Sequence, residues 1–381
     1  MRKNAKRSII IVTLLLFIIS CKQSKEVAPS IDISLKDEFK NNFLIGVAIN
    51  ESQIQEKDSL ETTLINQEFN SITSENIMKS MFIHPFKDTF DFKMTDKYVA
   101  FGEKHNMFIH GHTLIWHSQL APWFQEIKDS TLMVAAMENH IRTIVRKYKG
   151  KIKSWDVVNE ALNEDGSLRK SIFLDVVGEN YLAQAFEWAS QEDPNTDLYY
   201  NDYNMTNAEK RQGAINLIKK IQEKGIKIDG VGMQGHWHLN GPSLEEIEKS
   251  ILEYASLGIK VAITELDINV LPNPWDLVGA EVSQNFESSE KMNPYANGLP
   301  DSVQTKFTKR YKDIFKLFLK HQDKISRVTL WGLNDSQSWL NDWPIKGRTN
   351  YPLLFDRDFH PKSAYDSIIS LKVKEEKQSI N

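Results

Sequence analysis

The sequence predicts an α/β protein with a single catalytic-sized domain, a closed (β/α)8 barrel of the TIM type. Short apolar runs recur eight times along the chain, and each ends in a polar cluster. Between them lie stretches with apolar residues at three- and four-residue steps, the spacing of a helix with one buried face. Strand and helix alternate in this way over most of the 381 residues, which implies a parallel sheet covered by helices. An open, doubly wound sheet is the runner-up. It is disfavoured because no Gly-rich phosphate-binding loop follows the first run.

The first 21 residues read as a targeting segment rather than as fold. Arg2, Lys3, Lys6 and Arg7 form a basic start, and Ile9 to Ile19 an apolar stretch too short to cross a bilayer. The stretch closes with Ile18-Ile19-Ser20-Cys21, and Cys21 is the only cysteine, so it has no internal disulfide partner. The segment resembles a bacterial lipoprotein signal, in which a small residue precedes a cysteine that is acylated after cleavage. That predicts an exported protein anchored to a membrane through a lipid on Cys21, facing the periplasm or the cell surface. An ordinary signal peptide with an incidental cysteine, or an uncleaved anchor, is the alternative. Residues 22–40 are polar and read as a tether. Residues 374–381 read as a polar tail, which leaves 41–373 for the folded domain.

The strand candidates are Leu44–Asn50, Phe69–Asn76, Met107–Trp116, Ile152–Glu160, Asp197–Asn204, Asp229–Trp237, Lys260–Ile268 and Ile325–Leu333. Helical spacing covers 55–67, 91–104, 131–149, 179–191, 207–224, 243–257, 303–322 and 361–372. Gly225 and Gly258 stand where two of these helices should end. One connection is long. Asn269 to Asp301, rich in Pro and Asn, follows the seventh run, and loops of that length in a compact domain are functional or mobile.

A net charge of −4 offers no electrostatic footprint for nucleic acid. Nine tryptophans fit either an aromatic core or a groove for a ring-shaped ligand. The strand ends separate these readings, because a barrel of this kind carries its chemistry at the C-terminal ends of its strands. In order, those ends hold Glu75 and Asn76 with Lys79, then His110 and His112 with Trp116 and His117. Asn159 and Glu160 follow, then Asn201, Asp202, Tyr203 and Asn204, then Gln234 and His236. Last come Glu265 and Asp267, and Trp331 with Asp335 and Trp339. A single acidic residue is ordinarily a solvated surface group. That reading fails when polar residues occupy the same end of successive apolar strands.

Glu160 and Glu265 lie on the fourth and seventh runs, and a closed barrel can aim both at one point above its axis. Such a carboxyl pair is the apparatus of glycoside hydrolysis, one acting as acid and the other as nucleophile or base. Residues two apart on a strand face the same way, so His236 and Asp267 can hold Glu265 in place and ionised. Asn159 can donate to a sugar hydroxyl, and Trp116, Trp331 and Trp339 offer flat faces for sugar rings. Two rivals exist. The pairs His110/His112 and His236/His238 have a spacing that can bind metal, but no motif completes a ligand set, so neither metal nor cofactor is expected. A non-catalytic sugar-binding protein would explain the aromatics but has no use for two buried carboxyl groups.

The runs FNSITSENIMKS, GHTLIWHSQLAPW, WDVVNEAL, YYNDYN, VGMQGHWHL, ITELDI and LWGLNDSQSWL resemble glycoside hydrolase family 10, the endo-β-1,4-xylanases, over Leu44 to Leu371. The resemblance implies that Glu160 is the general acid/base and Glu265 the nucleophile of a retaining mechanism, with Asn159, His236 and Asp267 in support. It implies that Glu75, Asn76, Lys79, His112, Trp116 and Gln119 bind sugars on the non-reducing side of the cleaved bond. Trp331 and Trp339 would enclose that site, Gln234 would contact the sugar at the bond, and Tyr203 and Asn204 would serve the leaving-group side. Xylan and xylo-oligosaccharides would be the substrates of a monomeric, cofactor-free enzyme.

Overall fold

Eight parallel strands close into a barrel, one in the place of each predicted run. They are β1 (Leu44–Ile49), β2 (Ser71–Ser74), β3 (Phe108–Trp116), β4 (Ser154–Asn159), β5 (Asp197–Asp202), β6 (Gly230–Met233) and, after a short β7 (His236–His238), β8 (Lys260–Asn269) and β9 (Ile325–Leu330). Pairing of β6 with β8 and of β9 with β1 completes the ring. This computed structural model describes residues 33–379 except 278, 280 and 281. The expected signal segment with Cys21, and the expected tether as far as residue 32, lie outside the described residues.

The helices form where apolar spacing calls for them. Ser59–Glu68, Lys93–Lys104, Ser130–Lys147, Asn180–Glu192, Ala208–Glu223, Leu244–Ala255 and Asp301–Lys320 lie close to the expected bounds. The last helix, Ser363–Ser379, runs on through most of the expected tail. Side chains start several of them. Asp129 accepts from the Leu132 N–H at 2.9 Å and Ser243 from the Glu246 N–H at 3.2 Å, each satisfying a donor the helix leaves open.

Two boundaries differ from the sequence reading. The fold starts before residue 41, because Ser34 caps a one-turn helix, Leu35–Glu38, inside the expected tether. Leu35 and Phe39 are fully buried in the core, and the Leu35 N–H donates to Glu68 at 3.0 Å. One turn is too short to show helical periodicity, although Leu35 and Phe39 have the four-residue spacing. The run Asp229–Trp237 is also not one strand. It breaks at Gln234–Gly235, where Gly235 takes φ +90°, and β7 then pairs with the far end of β8, His236 opposite Asp267.

The barrel interior is packed and, along its axis, polar. Gly111 makes room for Trp155, since a Cβ there would sit 2.1 Å from the indole. Near the strand starts, the buried Arg327 donates to Ser154 and Thr329, each at 3.1 Å. His110 reaches Ser154 at 2.6 Å and Asp156 at 3.0 Å, and His112 meets Asp156 at 2.9 Å. A buried carboxylate needs such partners. Burial alone would push Asp156 up, but the two histidines hold it far below the usual carboxylate range.

Candidate active site

The polar column ends in a groove across the C-terminal ends of the strands. Its lining brings together Glu75, Asn76, Lys79, His112, Trp116, Gln119, Asn159, Glu160, Gln234, His236, Glu265, Trp331 and Trp339, with Val282 from the long loop. Asp267 lies just beneath. Asn204 lines an adjoining depression. Tyr203 is brought to neither. It is buried, its hydroxyl is taken by Arg169, the Lys210 ammonium sits 3.6 Å from its ring centroid, and Gly279 of the long loop lies against it.

Glu160 follows β4 directly and takes φ +57°, a left-handed conformation that few side chains adopt without strain. The surrounding bonds over-determine it. Its N–H donates to the Asn201 carbonyl at 2.8 Å. Its carboxyl accepts from Trp116 Nε1 at 2.9 Å, Gln234 Nε2 at 3.0 Å and Asn159 Nδ2 at 3.3 Å. Gln119 and Asn204 share the left-handed backbone, at φ +42° and +50°. Trp116 therefore has a second contact beside its expected place in the groove. Its ring is largely buried, and its N–H is spent on Glu160, so it is a partner of the carboxyl as well as a wall of the groove.

Glu265 lies within β8. Its carboxyl accepts from Asn201 Nδ2 at 2.9 Å and meets His236 Nε2 at 3.2 Å. His236 is held from behind by Asp267 at 2.9 Å, and Asp267 also accepts from Trp339 Nε1 at 2.8 Å. The break at Gly235 sets the imidazole between the two carboxylates.

The two glutamates sit in opposite electrostatic settings. Burial raises the pKa of Glu160, and the charge of Asp202 adds to it, against the donors Gln234 and Trp116 and the attraction of His117. Burial also pushes Glu265 upward, but the hydrogen bond from His236, the fields of His112 and His236, and the Asn201 amide outweigh it and leave its pKa below the usual value. For His236, burial opposes the charge, yet Asp267 and Glu265 raise it to about 10, so the ring is a cation at neutral pH. One buried carboxyl thus tends to keep its proton while the other stays ionised, the division of labour that acid and nucleophile require.

At the far end of the groove Lys79 donates to Asn76 at 2.9 Å and lies 4.9 Å from the Trp116 ring centroid. Burial brings Lys79 down to about 8, against the pull of Glu265, Glu75 and Glu160. Burial pushes Glu75 up to about 7, against Lys79. Three of the four paired histidines meet carboxylates, His110 and His112 at Asp156 and His236 at Asp267 and Glu265, while His238 meets the Asn273 amide at 3.3 Å. Among the described residues, the three metal-type side chains drawn together are Asp356, Asp358 and His360, and none lines the groove.

Sequence reasoning gave no role to Asn201. Its amide joins Asn159 Oδ1 and Glu265 Oε1, both at 2.9 Å, while its oxygen accepts from Thr264 at 2.6 Å. Its place at the end of β5, in register with Asn159, was the available signal. Asp202 stood at the same strand end and was likewise given no role. It is fully buried, paired with Lys210 at 2.9 Å, and raises Glu160.

Comparison with known proteins agrees with this geometry. The profile of Glycosyl hydrolase family 10 matches residues 34–371. The chain is 44% identical over 343 residues to Endo-1,4-beta-xylanase A of Xylanibacter ruminicola, covering 89% of this chain and 93% of that one. It is 38% identical to a Beta-1,4-xylanase of Dictyoglomus thermophilum, covering 96% and 99%. A GH10 endoxylanase retrieved from a sugarcane soil metagenome superposes with TM-score 0.86 at 46% identity, over 89% of this chain and all (100%) of that one. Xylanase 10B of Thermotoga petrophila, solved in complex with xylobiose, superposes with TM-score 0.79 at 30% identity, covering 90% and 98%. The chain belongs to glycosyl hydrolase family 10.

Proposed function

We propose that this protein is an endo-acting retaining β-1,4-xylanase with Glu265 as nucleophile and Glu160 as acid/base. The observation that carries the reading is the opposite setting of two carboxyl groups in one groove. Glu265, kept ionised by His236, attacks the anomeric carbon. Glu160, kept protonated by burial, delivers its proton to the departing oxygen. The emptied Glu160 then takes a proton from water, which attacks the glycosyl–Glu265 ester and restores both groups with the β configuration retained. Asn159 has both oxygen contacts filled by amides from Asn201 and Gln234. Its own amide is thereby turned toward Glu160, where it can donate to a sugar hydroxyl beside the bond.

The Lys79, Glu75, Asn76 and Gln119 end grips sugars on the non-reducing side, with Trp331 and Trp339 closing over the cleavage point. Asn204 serves the departing side. Tyr203, beneath Arg169 and the loop, acts there only through its neighbours. The substrate reading follows the xylanase activity of the relatives. Side-by-side hydrolysis of xylan and soluble cellulose tests it, and cellulose cleaved as fast as xylan would overturn it.

The two glutamates differ in how their loss shows. Glu160→Ala should lose roughly 10²–10⁴-fold on xylan. An aryl xyloside with a good leaving group needs no acid, so its covalent intermediate still forms, and added azide captures it as the β-azide. Glu265→Ala forms no such intermediate, and azide gives the α-product. Exchanged products would reverse the assignment.

We propose in addition that Cys21 is acylated and tethers the barrel to a membrane. The support is the position of the single cysteine at the end of a basic-then-apolar leader. Cys21→Ala should appear in the soluble fraction, and its retention with membranes would point to an uncleaved anchor.

A further inference from the structure

The groove does not end at Trp339. A depression of about 220 Å³ shares His236 and Trp339 with it and continues past Asn204. Its outer wall is the start of the long loop, through Asn273, Pro274 and Leu277. Between the last two stands Trp275, 94% exposed. The next most exposed large apolar side chain among the described residues, Phe86, is 70% exposed. An indole held in water contributes nothing to the core and offers a flat apolar face beside the depression.

The segment that carries Trp275 is pinned on both sides. Asn273 accepts from Asn269 at 2.9 Å and meets His238 at 3.3 Å. Gly279 lies so close to Tyr203 that a Cβ there would stand 2.5 Å from the ring. Asn204, Asn269 and Asn273 make the depression an amide-rich surface, and its two charged groups, Asp267 and His236, are already paired with each other at 2.9 Å. Such a surface suits uncharged, hydroxyl-bearing rings, and a flat exposed indole suits their C–H faces.

We propose that Trp275 is a stacking platform for a sugar ring of the departing part of the chain, beyond the ring held at Asn204. The platform makes the enzyme favour long chains over short ones. The inference rests on the xylanase reading, since it needs a glycan lying along the groove. A ring stacked at this distance is bound equally before and at the transition state, so it acts on KM rather than on turnover.

The test compares Trp275→Ala and Trp275→Tyr with the unmodified protein on xylohexaose and on an aryl β-xylobioside, whose leaving group is too short to reach the loop. Trp275→Ala should lower kcat/KM on xylohexaose about five- to tenfold more than on the aryl substrate, mainly through KM, and Trp275→Tyr should restore most of the difference. Equal losses on both substrates, or no loss on xylohexaose, would overturn the platform. So would a dimer of the unmodified protein that Trp275→Ala dissociates, because the indole would then serve a second copy. Failure of the unmodified protein to cleave xylohexaose would instead overturn the xylanase reading, and the platform with it.

Discussion

The indole N–H of Trp116 is the one donor on Glu160 that can be deleted without emptying the groove. Trp116→Phe keeps a ring and removes the bond. That bond favours ionised Glu160, so its loss should raise the pKa further. The acid then stays protonated to higher pH, and the alkaline limb of kcat/KM should move up by roughly one pH unit, the worth of one hydrogen bond to a charged group. An unmoved limb would show that Trp116 serves as wall only. Asn201→Ala strands Asn159, Glu265 and Thr264 together. It should lower kcat on xylan roughly tenfold or more and destabilise the fold by about 1–3 kcal/mol, measured by turnover and by urea unfolding. Full activity would remove Asn201 from the site. At this scale the carboxyl groups were legible, because a charge ending an apolar strand has few innocent explanations. Their donors were not. Trp116 reads as apolar in Leu114-Ile115-Trp116, and Asn201 as one polar residue among four.

The break between β6 and β7 is the element that the chemistry depends on. Uninterrupted alternation would carry one strand from Asp229 to Trp237. The left-handed turn at Gly235 ends that strand after Met233 and lets His236 pair in register with Asp267. A Cβ on Gly235 would meet Ile263 at 2.9 Å in a backbone conformation that disfavours side chains. Gly235→Ala should therefore cost about 1–3 kcal/mol of stability and lower activity through a displaced His236. A variant with unchanged activity would show that the imidazole needs no such break. Periodicity alone could not reveal it, since a glycine within a strand pattern signals a bulge, a close approach or nothing. The same limit applies to Tyr203, against which Gly279 of the long loop, more than seventy positions away, is packed.

For the molecule as a whole, the fold class was readable because eight apolar runs and the helices between them repeat one local pattern, and closure follows from their number. What repetition does not convey is charge inside the barrel. His236 gains partners on folding, so its pKa rises from 6.5 to about 10. The stability this contributes is complete below pH 6.5 and is lost as pH rises through about 10. Urea midpoints should fall across that window, and more shallowly in His236→Asn. Parallel curves for the two proteins would show that His236 does not govern the slope. The first described residues bear on something else. Leu35 is bonded to Glu68 and Lys36 to Asn66, just ahead of β2, so the chain enters the barrel at its foot. The mouth opens at the other end. A support that holds the barrel at this foot, for example at the exposed Lys40 just ahead of β1, therefore grips it on the blind side and leaves the mouth free for particles too large to diffuse. Coupled to beads through a cysteine placed at Lys40, the protein should still erode insoluble xylan. Coupled through a cysteine placed at Asn297, in the loop that rises beside the mouth, it should retain its action on soluble fragments and lose much of its action on the solid.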